Sequence, residues 1–158
     1  MSAVTGNFPV NEIKVEIDTS SVDSRTAAPS SGGTDSRTFA EIKDLESAEF
    51  SIETSLETWQ PFDTKGWQRA LATAKSISLS MSGTRNFGDT GNDYVAGKWL
   101  LNGQACNSTI KLTFPDTTEY YIPVVVQVKN PGGGESTGVM PLEWDAASDG
   151  KPTVKEAA

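Results

Sequence analysis

The 158-residue chain contains no histidine and only one cysteine, Cys106. Without imidazole, the serine and cysteine nucleophile schemes that depend on a histidine base are excluded, as are histidine-ligated metal sites. One cysteine makes neither an internal disulfide nor a thiolate zinc site, and its default place is that of a small buried hydrophobe. Such sparing use suits a reducing, cytosolic origin. No stretch approaches the ~18 consecutive apolar residues of a membrane-spanning helix. The opening MSAVTGNFPVNEIKVEID has neither a basic start nor an apolar core, so no secretory leader is expected. Basic charge is scarce as well: 13 Lys and Arg stand against 21 Asp and Glu, a net charge of −8. A protein that grips nucleic acid by its phosphates needs clustered basic groups, and this chain has none.

The distribution of charge is uneven. Residues 1–63 hold 12 acidic and 4 basic side chains, whereas residues 64–158 hold 9 of each. All the net negative charge therefore falls in the first part. It serves either solubility or a surface that repels DNA or another polyanion.

What the chain does have is period-two alternation, the mark of strands buried on one face. Ile13, Val15 and Ile17 alternate with Glu12, Lys14, Glu16 and Asp18. From Thr19 to Thr38 the composition turns to Ser, Thr, Gly, Ala and charge, which predicts a long polar arm with too few apolar groups to fold alone. Phe39–Trp59 fits either a helical stripe or a strand, and the Ser and Thr of FSIETSLETW favour a strand after about Ala48. Glu49, Ser51, Glu53, Ser55 and Glu57 would then share the face opposite Phe50 and Ile52. Ser76–Ser82 is the clearest strand, with Ile77, Leu79 and Met81 set between serines. Gln60–Lys75 contains a turn, followed by either a short helix after Asp63 or a strand running into Ser76. NFGDTGNDYVAGKWLL reads as a loop and a short helix, with Asp89 as N-cap and Gly103 marking the end. Two strands joined at Pro115–Thr118 form a hairpin, and Pro123 within the second implies an edge or a bulge. The Asn130–Ser136 loop, a last strand with Met140, Leu142 and Trp144, and a fraying tail complete the chain. The expected fold is mainly β: two packed antiparallel sheets, sandwich or barrel-like, with one short flanking helix. We expect one domain over 1–158, with an arm at 19–38 and a tail at 148–158.

No enzymatic chemistry, cofactor or metal is expected. Gly88–Asp93 clusters Asp89, Asn92 and Asp93 but lacks the ligand spacing and terminal Glu of an EF-hand loop, so it reads as a turn with a helix cap. Gly132, Gly133 and Gly134 are followed by no Lys–Ser/Thr pair and read as a flexible loop rather than a phosphate cradle. Carboxylates four apart, such as Glu49 and Glu53, are candidates for a glycosidic pair at ~5–10 Å. That chemistry also needs a cleft with aromatic platforms, for which only Trp59 and Trp67 are near. Trp99 and Trp144 sit in apolar patterns, which predicts core packing.

Residues 46–97, ESAEFSIETSLETWQPFDTKGWQRALATAKSISLSMSGTRNFGDTGNDYVAG, carry a W-x-R-x-L-x-T-x-K-S run, a serine-alternating strand and G-D-x-G-N-D-Y-V. Residues 132–154, GGGESTGVMPLEWDAASDGKPTV, end in a strand and a D-G-K-P turn. Together these segments resemble the tail tube (major tail) proteins of long-tailed, non-contractile bacteriophages, although Ala74 stands where a glycine is usual.

The resemblance implies a β-sandwich with a flanking helix, assembling with itself into stacked hexameric rings that form a hollow conduit for the genome. It implies a place in the virion tail, with the host cytoplasm as the site of assembly. It also implies tail tip or initiator, tape measure and tail terminator proteins as partners. DNA would pass through without specific binding, and no membrane is involved. Glu49, Glu53 and Glu57 are the candidate lumen-facing acids, and a solvated outer face is the alternative. The arm, with Asp23, Arg25, Asp35 and Arg37, and the loop, with Gly132, Gly133 and Gly134, are the candidate contacts between subunits or rings. A related tube from a contractile tail or secretion apparatus shares this architecture. A monomeric β-sandwich that binds sugar or a host surface is the reading from a different class; it calls for aromatics exposed together, whereas the four tryptophans are scattered along the sequence.

Overall fold

Alternation along the chain resolves into eight antiparallel strands in the computed structural model, which describes residues 6–20 and 37–156. The strands are β1 (Lys14–Asp18), β2 (Phe39–Glu41), β3 (Leu45–Trp59), β4 (Arg69–Thr84), β5 (Asn107–Thr113), β6 (Glu119–Asn130), β7 (Pro141–Ser148) and β8 (Thr153–Lys155). They form one hydrogen-bonded sheet in the order β2-β1-β5-β6-β7-β4-β3, with β8 added to β6. The mainly β, antiparallel class with one helix is as expected, and a single continuous ladder joins all the strands. The tail expected to fray carries β8, which pairs Lys155, Val154 and Thr153 with Glu119, Tyr120 and Tyr121.

The buried sides of five strands and the helix share one core. Val15 and Ile17 of β1, Leu79 and Met81 of β4, Ile110 and Leu112 of β5, Ile122, Val124 and Val126 of β6, and Leu142 and Trp144 of β7 all pack into it. Trp144 is fully buried, and its Nε1 has no hydrogen-bond partner. Cys106 is buried, as expected.

Pro123 sits within the sheet rather than at its edge. Its carbonyl accepts a hydrogen bond from the Asp149 N–H at 2.8 Å, so its nitrogen also points to the side where β7 ends and β8 has not begun. The missing proline N–H thus falls past the end of the β6–β7 ladder, which is how the sheet accommodates it.

Helix α1 (Thr90–Ala96) starts as its sequence dictates: the Asp89 Oδ2 accepts the Asn92 N–H at 3.0 Å. The same carboxylate oxygen accepts the Lys43 N–H at 3.1 Å, which ties the cap to the β2–β3 turn. A Cβ at Gly91 would collide with the Glu41 carbonyl oxygen, so only glycine lets α1 lie this close to β2. Asn92 is 1% exposed. Its amide donates to the Lys43 and Thr84 carbonyls and its oxygen accepts from the Asn86 N–H and Arg85. One side chain therefore joins the helix to both roots of the β3–β4 hairpin.

Candidate functional site

β3 and β4 run 15 and 16 residues, about three times the mean of a short strand, and only their base is covered. β7 pairs β4 only over Ser78–Thr84. Beyond that, β3 and β4 have only each other, a two-stranded ribbon whose outer eight residues of β3 span about 26 Å at ~3.3 Å each. Every described residue from Ser51 to Gln60 is exposed.

The two faces of the ribbon differ. On one, Glu49 lies opposite Ser80, Ser51 opposite Ser78, and Glu53 opposite Ser76. β7 extends this surface, setting Asp145 beside Ser80 and Glu143 beside Ser82, and Gln127 of β6 follows next to Asp145. Lys129 pairs with Asp145 at 2.7 Å. The result is an open polar surface of Ser and carboxylate across β3, β4, β7 and β6, with Lys129 as the cation set against Asp145. The opposite face puts Phe50 (41% exposed), Ile52 (64%) and Leu56 (60%) in solvent. A two-stranded ribbon is marginal in water by itself, and one with an uncovered apolar side more so.

Glu49, Glu53 and Glu57 keep one parity along β3, on the face opposite Phe50, Ile52 and Leu56. Ser55 pairs with Ala74 and Leu56 with Ala72, which leaves Thr73 as the extra residue of a bulge. The parity of β4 flips there while that of β3 runs on, so Glu57 lies opposite Leu71 rather than a serine, and the serines of β4 end on this face at Ser76. Glu49 and Glu53 are about 13 Å apart along an extended strand, outside the ~5–10 Å of a glycosidic pair, and the shallow groove that Glu49 lines with Ser80, Lys129 and Asp145 does not include Glu53. The carboxylates of the Gly88–Asp93 run act within the cap: Asp93 accepts from Gly88 N–H at 3.1 Å and pairs with Arg85 at 2.6 Å, and that hydrogen bond holds its carboxyl below the ordinary value.

Of the other candidate contact residues, Asp23, Arg25 and Asp35 lie outside the described residues. Arg37 is 6% exposed, with its guanidinium 5.4 Å from the Phe39 ring centre and 4.8 Å from that of Tyr121. Gly132, Gly133 and Gly134 sit in the β6–β7 loop, all at positive φ, and the Gly132 N–H bonds Asn130 Oδ1 at 3.1 Å.

The ribbon tip was not singled out from the sequence, yet it gathers aromatics. Thr64 Oγ1 bonds the Pro61 and Trp67 carbonyls at 3.0 and 2.7 Å, and the Trp67 N–H donates to the Thr64 carbonyl at 3.2 Å. This closed turn displays Phe62 at 98% and Trp67 at 79% exposure, beside Trp59, which stacks with Arg69 at 5.5 Å. Trp99, expected in the core, is 56% exposed on the turn that follows α1.

No protein-family model and no curated protein matches the sequence. Solved structures match in fold. A chain from the tail of an empty gene transfer agent particle, refined helically with C6 symmetry, superposes with a TM-score of 0.65 at 16% identity, over 93% of this chain and 98% of that one. A chain from the virion of a native gene transfer agent particle gives 0.63 at 17% identity, over 94% and 99%. A chain from the sheath/tube terminator structure of an extracellular contractile injection system (PVC), in its extended state, gives 0.58 at 11% identity, over 97% and 99%. The protein has the fold of these tail, virion and injection-system chains.

Proposed function

We propose that this chain is a structural tail tube subunit whose copies close into hexameric rings that stack into a hollow conduit for a genome. The observation that carries the reading is the β3–β4 ribbon: long, bare on both faces, apolar on one and Ser/carboxylate on the other. Such a ribbon gains a stable environment when neighbouring copies cover its apolar side and its open β3 edge. In a ring, the polar face of β3, β4, β7 and β6 would line the lumen, where Glu49 and Glu53 repel phosphates and serines offer no charge to hold them. The likeness to the tail and virion chains supports the same reading. The 1–158 chain acts as one unit, with the 19–38 arm and the Gly132–Gly134 loop reaching neighbouring subunits. Tail tip, tape measure and terminator proteins are its further partners, in the virion tail and, before that, in the host cytoplasm. It performs no catalysis.

The aromatic cluster at Trp59, Phe62 and Trp67 is the observation that favours a monomeric sugar- or surface-binding module instead. The three rings stand on an exposed turn, however, and line none of the grooves described elsewhere on the molecule, where polar groups could converge on a ligand. Negative-stain electron microscopy of the purified chain, concentrated and then seeded with tail tips, separates the two. Tubes or six-fold rings support the subunit; particles that stay monomeric under both conditions favour the binding module.

A further inference from the structure

The tip that displays Phe62 and Trp67 has a counterpart elsewhere in the molecule. Where β3 leaves the body, a groove of about 320 Å³ opens between the residues before β1, the β2–β3 turn and the base of β3. Its walls are Val10, Ile13, Leu45 and Ala48. Its rim carries Glu41, Asp44 and Glu46 against Lys43, an acidic excess. The tip loop has the opposite balance, with Lys65 and Arg69 against Asp63.

The tip cannot fill the groove of its own copy. From Phe50, at the groove, to Trp59, at the tip, the paired ribbon runs nine residues, or about 30 Å. We propose that the ribbon tip of one copy docks in the groove of the next, with Trp67 and Phe62 as the aromatic anchors and Lys65 set against the acidic rim. The occupant is a second copy of this chain, chosen by charge complementarity and by the match of an exposed aromatic knob to an apolar groove of suitable size. The closed Pro61–Trp67 turn holds the knob in shape before contact, which lowers the ordering cost of docking. An aromatic anchor in an apolar pocket rimmed by charge is the usual form of an interface hot spot. Because tip and groove are different surfaces, the contact is head-to-tail and propagates from copy to copy. The inference rests on the self-assembly reading and supplies one of its contacts.

The test uses the full chain and three variants. Trp67→Ser and Lys65→Glu alter exposed tip residues and leave the core intact, which circular dichroism checks. The concentration at which wild type assembles should rise by more than about tenfold in each. In the third arm, copies carrying Asn11→Cys at the groove are mixed with copies carrying Gln68→Cys at the tip, both in a Cys106→Ser background. A short bismaleimide should then link the two kinds of copy once assembled. If wild type assembles and both tip variants assemble at the same concentration, or no link forms between the two kinds of copy in the assembly, the docking is overturned and the self-assembly reading stands. If wild type never assembles, even with tail tips, both fall.

Discussion

Replacing Asn92 tests whether one buried amide holds the ribbon to the body. Its four hydrogen bonds, at 2.9–3.2 Å, reach the β2–β3 turn at Lys43, the end of β4 at Thr84, and Arg85 and Asn86 beyond it. At roughly 0.5–1.5 kcal/mol net each, the bonds sum to about 2–6 kcal/mol for Asn92→Ala, and the accepting Lys43 and Thr84 carbonyls are only part-buried, which keeps the cost near the middle of that range. Against a domain stability of about 5–15 kcal/mol, that loss leaves a folded but clearly weakened protein. Asn92→Asp keeps the volume and both accepted bonds but turns a carboxylate oxygen towards two carbonyls. It should therefore cost at least about 2 kcal/mol at neutral pH, with no cavity to explain the loss. Urea unfolding of unassembled protein, followed by the fluorescence of buried Trp144, reads both values. A change below about 0.5 kcal/mol in either variant, the scale of an ordinary surface substitution, would refute the role assigned to Asn92.

Gly91→Ala should cost about 1–3 kcal/mol in the same assay, because the added methyl must push α1 away from the Glu41 carbonyl; an unchanged midpoint would contradict that packing. The Asp93 carboxyl is held below its ordinary value of 3.8 by the Arg85 hydrogen bond, so its contribution is full above that value and fades as pH falls through the lower folded one. Asp93→Asn should therefore be less stable than wild type at pH 7, with the gap closing in strong acid; a gap that persists there would count against the linkage. Glu49→Lys, Glu53→Lys and Glu143→Lys combined should leave the fold intact and convert the polar face into a DNA-binding one. In a salt titration of DNA affinity, the slope should be about −2 to −3 in log units, set by the new phosphate contacts. No binding by the triple variant would mean that this face does not control the response to DNA.

The fold was legible wherever alternation coincided with burial. The Ser76–Ser82 pattern put Leu79 and Met81 inward, where both are buried, and Asp89 signalled the start of the helix. The Phe39–Trp59 ambiguity resolved as β2 and β3, with β3 starting at Leu45, a little before the change in composition. Less could be read where the same pattern serves different ends. Ile52 and Leu56 alternate just as Leu79 does, yet they stand in solvent, because periodicity records an apolar side without recording what covers it. The bulge at Thr73 leaves no mark in composition, so the Leu71 set opposite Glu57 could not be derived. Trp59, Phe62 and Trp67 come together through a turn held by Thr64, a single hydroxyl whose partners only the folded turn supplies. Pro123 looked like an edge residue because the break between β7 and β8 beside it is a long-range feature.

The central claim is that copies of this chain build a tube with the β3–β4–β7–β6 polar face turned inward. A cryo-electron microscopy reconstruction of the assembled protein tests it directly. The account predicts a hollow tube of stacked six-fold rings, with Glu49, Glu53 and Glu143 on the inner wall. A tube with that face on its outer surface, or an assembly without a lumen, would contradict it.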